Sequence, residues 1–386
     1  MKAMADGDNN IWELTSTDIL VEILLRLPTS SRRRFRLACR LWRDIIDTRT
    51  TEMQSHAKML VATVDGVYLV EDGVSSSRWI GAGDPYHGMS LVGTCNGLVC
   101  MCDTRNPSGP ITLANPITGE TLAIPPPPPL LTHIKAASDL RLTFTLAYHP
   151  TTGRYKVLHV PYSFDRVWVF TLGEALWRDV ATGSPIEPYD ISKGIVNING
   201  TVHWAVKGMK AKVLTFDLDS EHISSIRPLP NVLSRRGSFH LMEARGSRLG
   251  IAFSHESSTS DKTEVWVMEH AMVGPPTWSP WYNIIMQKPQ DLLMHRHQLT
   301  LPNFTTHDND YVLTMRWELC IAGGCHGYVL YKHKPRNDVK KARHGVVEIS
   351  EWNRGKEVGI IPADYIRPRT FAYVETTEPL SAYRCW

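Results

Sequence analysis

Long hydrophobic runs are missing from this 386-residue chain. No apolar stretch reaches the roughly 18 residues that a membrane span needs, so no membrane partner is expected. A dominant charge sign is missing too: 42 Lys and Arg stand against 39 Asp and Glu, a formal net charge of +3. That balance excludes binding of a polyanion through bulk charge, and no nucleic-acid partner is expected. Cysteine is sparse and odd in number, at seven. In a reducing compartment these read as thiols rather than as a disulfide framework. Residues 1–10 are polar and lack the apolar core of a secretory leader. They are expected to be disordered, and the chain to work in the cytoplasm and/or nucleus. The sequence also has no Gly-x-Ser-x-Gly elbow, no Gly-Lys-Ser/Thr phosphate loop and no His-Glu-x-x-His pair. The expectation is a non-enzyme with no catalytic residue, no metal ligand and no cofactor.

What is present falls into two parts with different periods. From Ile11 to Ile46 the apolar spacing is helical. Ile19, Ile23 and Leu27 recur at intervals of four, with Leu20 and Leu24 beside them, giving one wide stripe. Thr15, Ser16 or Thr17 supplies an N-cap, and Asp18 places negative charge in the first turn. Pro28 ends that helix, and Ser30 or Ser31 opens a second, along which Phe35, Cys39, Trp42 and Ile46 share a face with Leu41 and Ile45 flanking. A unit of this size is below what one core usually supports alone, so its apolar surface requires a partner.

Beyond residue 58 the period falls to two. Met59–Val64 and Val67–Val70 flank Asp65-Gly66, the signature of a hairpin. The pattern then repeats. Gly153, Gly200 and Gly246 separate strand-like runs at spacings of 47 and 46 residues. Val167–Phe170, Val213–Phe216, Val265–Met268 and Tyr311–Thr314 form a second series, spaced 46, 52 and 46. Four short strands every 40–50 residues is what a propeller blade requires, and a β-sandwich, the alternative, has no need of that period. Trp168, Trp177, Trp204, Trp266, Trp278, Trp281 and Trp317 recur with it and read as packing between blades.

The helical part reads Leu14-Thr-Ser-Thr-Asp18-Ile-Leu-Val-Glu22-Ile-Leu-Leu-Arg-Leu27-Pro28, then Ser31-Arg-Arg-Arg34-Phe35-Arg36-Leu-Ala-Cys39-Arg-Leu-Trp42. It resembles the F-box, the adaptor-binding motif of Skp–cullin–F-box ubiquitin ligases. The remainder resembles the F-box-associated interaction domain of plant F-box proteins, related to kelch-like propellers. The stretches that carry this likeness include Gly93–Cys100, Asn115–Glu120, Tyr148–Val157, Asn199–Trp204 and Val265–Met268. The chain is thus expected to be mainly β: an F-box over 11–50, a linker over 51–58 and a kelch-like β-propeller over 59–386.

The resemblance implies a substrate-recognition subunit. Leu14, Ile19, Leu20, Ile23, Leu24, Leu27, Pro28, Ser31 and Leu41 would meet a Skp-type adaptor, and through it a cullin scaffold. Phe35, Cys39 and Trp42 would hold the helices together. The propeller would capture a protein substrate through residues the sequence does not identify. Two positions depart from the family pattern: Leu14-Thr15 replaces Leu-Pro, and Arg32 and Arg33 replace two apolar residues. The alternative is an adaptor-independent interaction scaffold with a degenerate F-box. Other features read as structural. Cys95, Cys100 and Cys102 are expected to be small core residues, with Cys100 and Cys102 on one strand face. His295, His297, Asp308 and Asp310 read as a polar loop, Pro125–Pro129 as a stiff connector, and the basic run Lys332–Arg343 as a solvated hairpin loop.

Overall fold

The computed structural model of the chain describes residues 17–27, 31–32, 35, 40–49, 58–62, 67–70, 78–79, 89–103, 109, 111–126, 143–160, 166–181, 194–206, 212–226, 228–234, 237–244, 248–269, 276–288, 297–299, 312–320, 325–333, 345–350, 356–362 and 369–383. The chain divides into a helical unit before residue 57 and a β-rich unit after it.

In the helical unit, α1 spans Thr17–Arg26 and α2 spans Arg40–Arg49. Asp18 lies in the first turn of α1 and Arg26 in its last, so both charges complement the helix dipole. Leu20 and Leu24, one turn apart, close on Ile45 and Ile46 of α2, with Val21, Leu27 and Trp42 packed around them. Arg49 reaches back to Asp18 at 2.7 Å. Both side chains of that pair are at least half exposed, so the apolar contact, not the ion pair, holds the helices.

The β-rich unit is a six-bladed propeller. Blade 1 pairs Lys58–Ala62, Val67–Val70 and Arg78–Trp79 with Arg369–Tyr373 from the far end of the chain. Blade 2 contains Met89–Cys95, Leu98–Asp103, Ile111–Ala114 and Thr121–Ile124. Blade 3 contains Phe144–His149, Arg154–His159, Arg166–Thr171 and Arg178–Ala181. Blade 4 contains Ile195–Ile198, Thr201–Val206, Lys212–Asp217 and Ile223–Ser225. Blade 5 contains Ser238–Ala244, Arg248–Glu256, Ser260–Glu269 and Thr277–Gln287. Blade 6 contains His297–Leu299, Val312–Cys320, Cys325–His333 and Lys356–Pro362. First strands of successive blades touch one another from Arg369–Tyr373 through Met89–Cys95, Phe144–His149 and Ile195–Ile198 to Ser238–Ala244, and so surround the axis.

The core is not one mass but six layers, each shared by two neighbouring blades. Leu60, Leu69, Leu91, Val99, Met101 and Phe371 join blades 1 and 2, while Leu98, Leu113, Phe144, Leu146 and Val157 join blades 2 and 3. Leu158, Val169, Val202, Trp204 and Phe216 join blades 3 and 4. Val196, Ala205, Leu241 and Ile251 join blades 4 and 5. Ile284 with Val312, then Val61 with Leu330, complete the ring. This follows from the alternation along each strand: a blade turns one face to each neighbour, and both faces must be apolar.

The periodic positions behave as their spacing predicts up to blade 5. Gly153 and Gly200 form the turns between first and second strands, with φ of 71° and 81°. The second series marks third strands in blades 3, 4 and 5. Its last member, Tyr311–Thr314, is a correction: it falls on the second strand of blade 6, Val312–Cys320. Twelve residues separate the first two strands there, against two between those of blade 4, so the same spacing arrives one strand early. A second irregularity is Gly345–Ile349, which leaves blade 6 and pairs parallel with Thr277–Gln287 of blade 5. The sequence leaves blade number open because its pattern is irregular near Ile80 and after Pro335, and Gly345–Ile349 falls in the second of these stretches. The Asp65-Gly66 turn, Gly246, the basic run Lys334–Arg343 and the polyproline core Pro127–Pro129 lie outside the described residues.

Candidate functional site

The helical unit presents an apolar surface of its own. On α1, Ile19 is 55% exposed and Ile23 44%; on α2, Leu41 is 41% exposed. Leu20 and Leu24 sit one residue further round α1 and are 1% and 0% exposed. The single wide stripe read from the sequence is therefore two stripes. One closes the helix pair and the other faces solvent, because neighbouring helix positions differ by about 100°. Leu27 and Ser31 are half-buried. Phe35 is partly exposed and stacks on Trp42 with ring centres 5.1 Å apart. Arg32, one of the two unexpected arginines, is buried. Leu14, Pro28 and Cys39 lie outside the described residues.

In blades 2 to 5, whose four strands follow one another in the chain, the connections from first to second strand and from third to fourth lie at one end, because the strands alternate in direction. Two of these turns are Asn96-Gly97 and Asn199-Gly200, with φ of 52° and 84°, then 48° and 81°. Positive φ at both central residues is the two-residue hairpin geometry that Asn-Gly favours. At Gly97 the glycine is also forced by crowding. A Cβ there would lie 2.5 Å from the carbonyl oxygen of Val374 and 2.6 Å from Cγ2 of Thr376.

Those contacts arise because residues 374–383 cross this end as a strap. The Asn115 side-chain amide donates to the carbonyl of Glu378 at 2.9 Å. The hydroxyls of Tyr155 and Tyr383 donate to the two carboxylate oxygens of Glu378, at 2.8 and 2.6 Å. The backbone N–H of Leu380 donates to the Glu120 carboxylate, and the Leu380 side chain plugs the layer between blades 2 and 3.

Beside the strap, blades 3 and 4 are joined by charge. Lys156, buried, donates to the Glu221 carboxylate at 2.8 Å and to the carbonyl of Leu218 at 2.9 Å. Arg178 forks onto the same carboxylate through two N–H groups. The Arg178 hydrogen bonds, with Lys156 behind them and against the cost of burial, hold Glu221 at a pKa of about 2. His149 lies 3.6 Å from Asp219, and burial, then Lys156, lowers its pKa. Every charge in the cluster has a partner, so it is a clamp and not a vacant site.

Next in order, blades 4 and 5 enclose a hollow of about 410 Å³. Ile198, Ile226, Leu249, Met268 and Pro276 form its apolar walls, and Asn199, Thr201, His203, Thr215 and Ser225 its polar ones. Among the described propeller residues, the large apolar side chains most open to solvent are Ile117 and Leu176, the latter at 78%. Both stand on third-to-fourth-strand turns, in blades 2 and 3.

The cysteines follow their expected placement. Cys100 and Cys102 are buried in one layer between blades 2 and 3, and Cys95 is half-buried. Burial, with Cys102 nearby, pushes the Cys100 thiol well up. Among the described residues no group of three or more His, Cys, Asp or Glu side chains converges as a metal site. Of the tryptophans, Trp204 is fully buried between blades 3 and 4. Trp177, Trp278 and Trp281 pack against three other layers. The sequence reading missed the Lys156–Glu221–Arg178 clamp and the Glu378 strap. The one available signal was a lysine inside the apolar run Tyr155-Lys156-Val157-Leu158.

Comparison with known proteins gives these surfaces a family. The F-box domain model matches residues 16–51, and the model described as an F-box associated beta propeller domain matches residues 80–366. An F-box protein of Arabidopsis thaliana is 23% identical over 324 residues, covering 71% of this chain and 73% of its own length. A putative F-box protein of the same plant is 22% identical over 381 residues, covering 92% and 93%. A solved polysaccharide lyase, Uly1, aligns at a TM-score of 0.34 and 11% identity over 72% of this chain and 79% of its own. F-box and propeller in this order are the makings of a substrate receptor, and the chain belongs to the F-box-associated β-propeller family, with an F-box preceding the propeller.

Proposed function

We propose that this chain is the substrate-recognition subunit of a Skp–cullin–F-box ubiquitin ligase, working in the cytoplasm and/or nucleus. The observation that carries the reading is the outward stripe of Ile19, Ile23 and Leu41 on a helix pair whose own core is already closed by Leu20, Leu24, Ile45 and Ile46. Apolar side chains that the fold does not use are what a docking partner buries. Each contributes roughly 1.5–3 kcal/mol when fully covered. Association itself costs about 4–15 kcal/mol, so three such residues need further contacts. In this reading Leu14, Leu27, Pro28 and Ser31 supply them, and Leu20 and Leu24 set the spacing of the helices beneath.

The propeller is proposed to hold the substrate protein at its turn end, where Ile117, Leu176 and the hollow between blades 4 and 5 are found. The chain does no chemistry itself. It raises the effective concentration of a substrate lysine near the ubiquitin-conjugating enzyme.

The test is capture of adaptor and cullin by the full chain and by an Ile19→Ala/Ile23→Ala/Leu41→Ala variant. Wild type should retain both. The variant should keep its melting temperature and bind adaptor at least about 100-fold more weakly, from a loss of roughly 1–2 kcal/mol per side chain. Wild type that captures neither would make the chain an adaptor-independent scaffold.

A further inference from the structure

We infer that the hollow between blades 4 and 5 is a side-chain slot that takes the phenol of a tyrosine from an exposed segment of the protein substrate; this rests on the receptor reading above. Its volume of about 410 Å³ falls within the range of small-molecule sites. A phenol occupies only part of it, leaving room for the neighbouring backbone of a bound segment.

The lining selects the class of occupant. It contains no Lys, Arg, Asp or Glu. A carboxylate or ammonium group entering would lose water and meet no counter-charge, which is strongly unfavourable. An aliphatic side chain would cover the walls but leave the polar floor without water. That floor combines hydroxyls, an imidazole and an amide, which together both donate and accept. A phenol matches it: the ring lies against Ile226, Leu249, Met268 and Pro276, and the hydroxyl reaches the polar side. Sulfur beside a ring adds a further favourable contact at Met268.

The floor is built rather than incidental. His203 and Thr215 are more than nine-tenths buried, and the two are register partners on adjacent strands of blade 4. The Thr215 hydroxyl is fixed by Ser224 Oγ at 2.6 Å. The same face of blade 4 is otherwise apolar at Val196, Ile198, Ala205 and Val213. The slot lies beside the Asn199-Gly200 turn and the start of the fourth strand of blade 5, so it opens at the turn end.

The experiment uses the full chain with ¹³C-methyl methionine, the Met268 signal being assigned with Met268→Leu. The probes are the blocked tripeptide Gly-Tyr-Gly, its Phe and Glu counterparts, and 4-methylphenol. The Tyr peptide should shift Met268 saturably, at least tenfold more tightly than the Phe or Glu peptide. Thr201→Trp, at a half-buried position on the slot side of blade 4 beside the turn, should abolish the shift without changing the melting temperature. No saturable shift, equal binding of Tyr and Phe peptides, or 4-methylphenol binding as tightly as the Tyr peptide would each overturn the inference. Adaptor capture is read on the same preparation. Adaptor retained with no Met268 response removes the slot and leaves the receptor reading; adaptor lost removes the receptor reading itself.

Discussion

The two faces of blade 4 solve one packing problem in opposite ways. Lys156 in blade 3 and His203 in blade 4 hold the same place: each is the third residue after the glycine of its first turn. Each pairs with a threonine on the third strand, Thr171 and Thr215 respectively. Each points its polar group into the layer shared with the next blade. Between blades 3 and 4 that layer is filled, because Lys156 meets Glu221 and Arg178 closes over it. Between blades 4 and 5 no such pair exists in the lining, and the layer is hollow. One register position thus yields a clamp or a slot, depending on what the next blade supplies.

The largest effect expected from breaking this comparison is at Trp204, which fills the clamped side. Trp204→Ala should cost about 3–5 kcal/mol in urea unfolding, as for other large core truncations. Lys156→Ala should cost less, about 2–3 kcal/mol, since it strands a carboxylate that still keeps Arg178. A Glu221→Gln/Lys156→Met pair should recover much of that loss, which a double-mutant cycle would read.

Acid separates the two sides further. Glu221 titrates near 2 in the fold against an ordinary 4.5, so its stabilisation is present above 4.5 and is lost as pH falls toward 2. Thermal melts of wild type should fall across that window, and Glu221→Gln should flatten the slope. His159 acts at higher pH. It is fully buried against Phe144 with ring centres 4.4 Å apart, and burial lowers its pKa from 6.5 to about 3. Unfolded chains then bind the extra proton, so stability declines as pH drops below 6.5, and His159→Phe should remove that decline. The smallest effect belongs to the hollow side. His203→Leu should change stability by less than about 1.5 kcal/mol, because the cavity tolerates a residue of similar volume.

How much of this was legible follows from what each feature depends on. Blade period and hairpin glycines are local, and Gly153 and Gly200 announce themselves by spacing alone. The inward role of Leu20 and Leu24 was half visible: periodicity shows that they are apolar, but only the partner helix decides which of two adjacent stripes it covers. The clamp and the hollow were not visible. Lys156 and Glu221 are 65 residues apart, and nothing in either neighbourhood names the other. The strap was hidden for the same reason, since Glu378 finds Tyr155 across 223 residues. Blade 6 misled through its long first connection, which shifts the repeat by one strand.

The closure of blade 1 has a consequence for how the protein is made. Lys58–Ala62 finds its inner neighbour only in Arg369–Tyr373, with Lys58 opposite Tyr373. At about 5–20 residues per second, a ribosome needs roughly 15–60 s to travel between those segments. Throughout that interval Leu60 and Val61 belong to a sheet with a bare edge, and the ring stays open. A chain that stops before Arg369 therefore stays unsealed, with a strand edge available to any nascent neighbour. Arg369–Tyr373 is thus the strand that covers this edge and seals the ring.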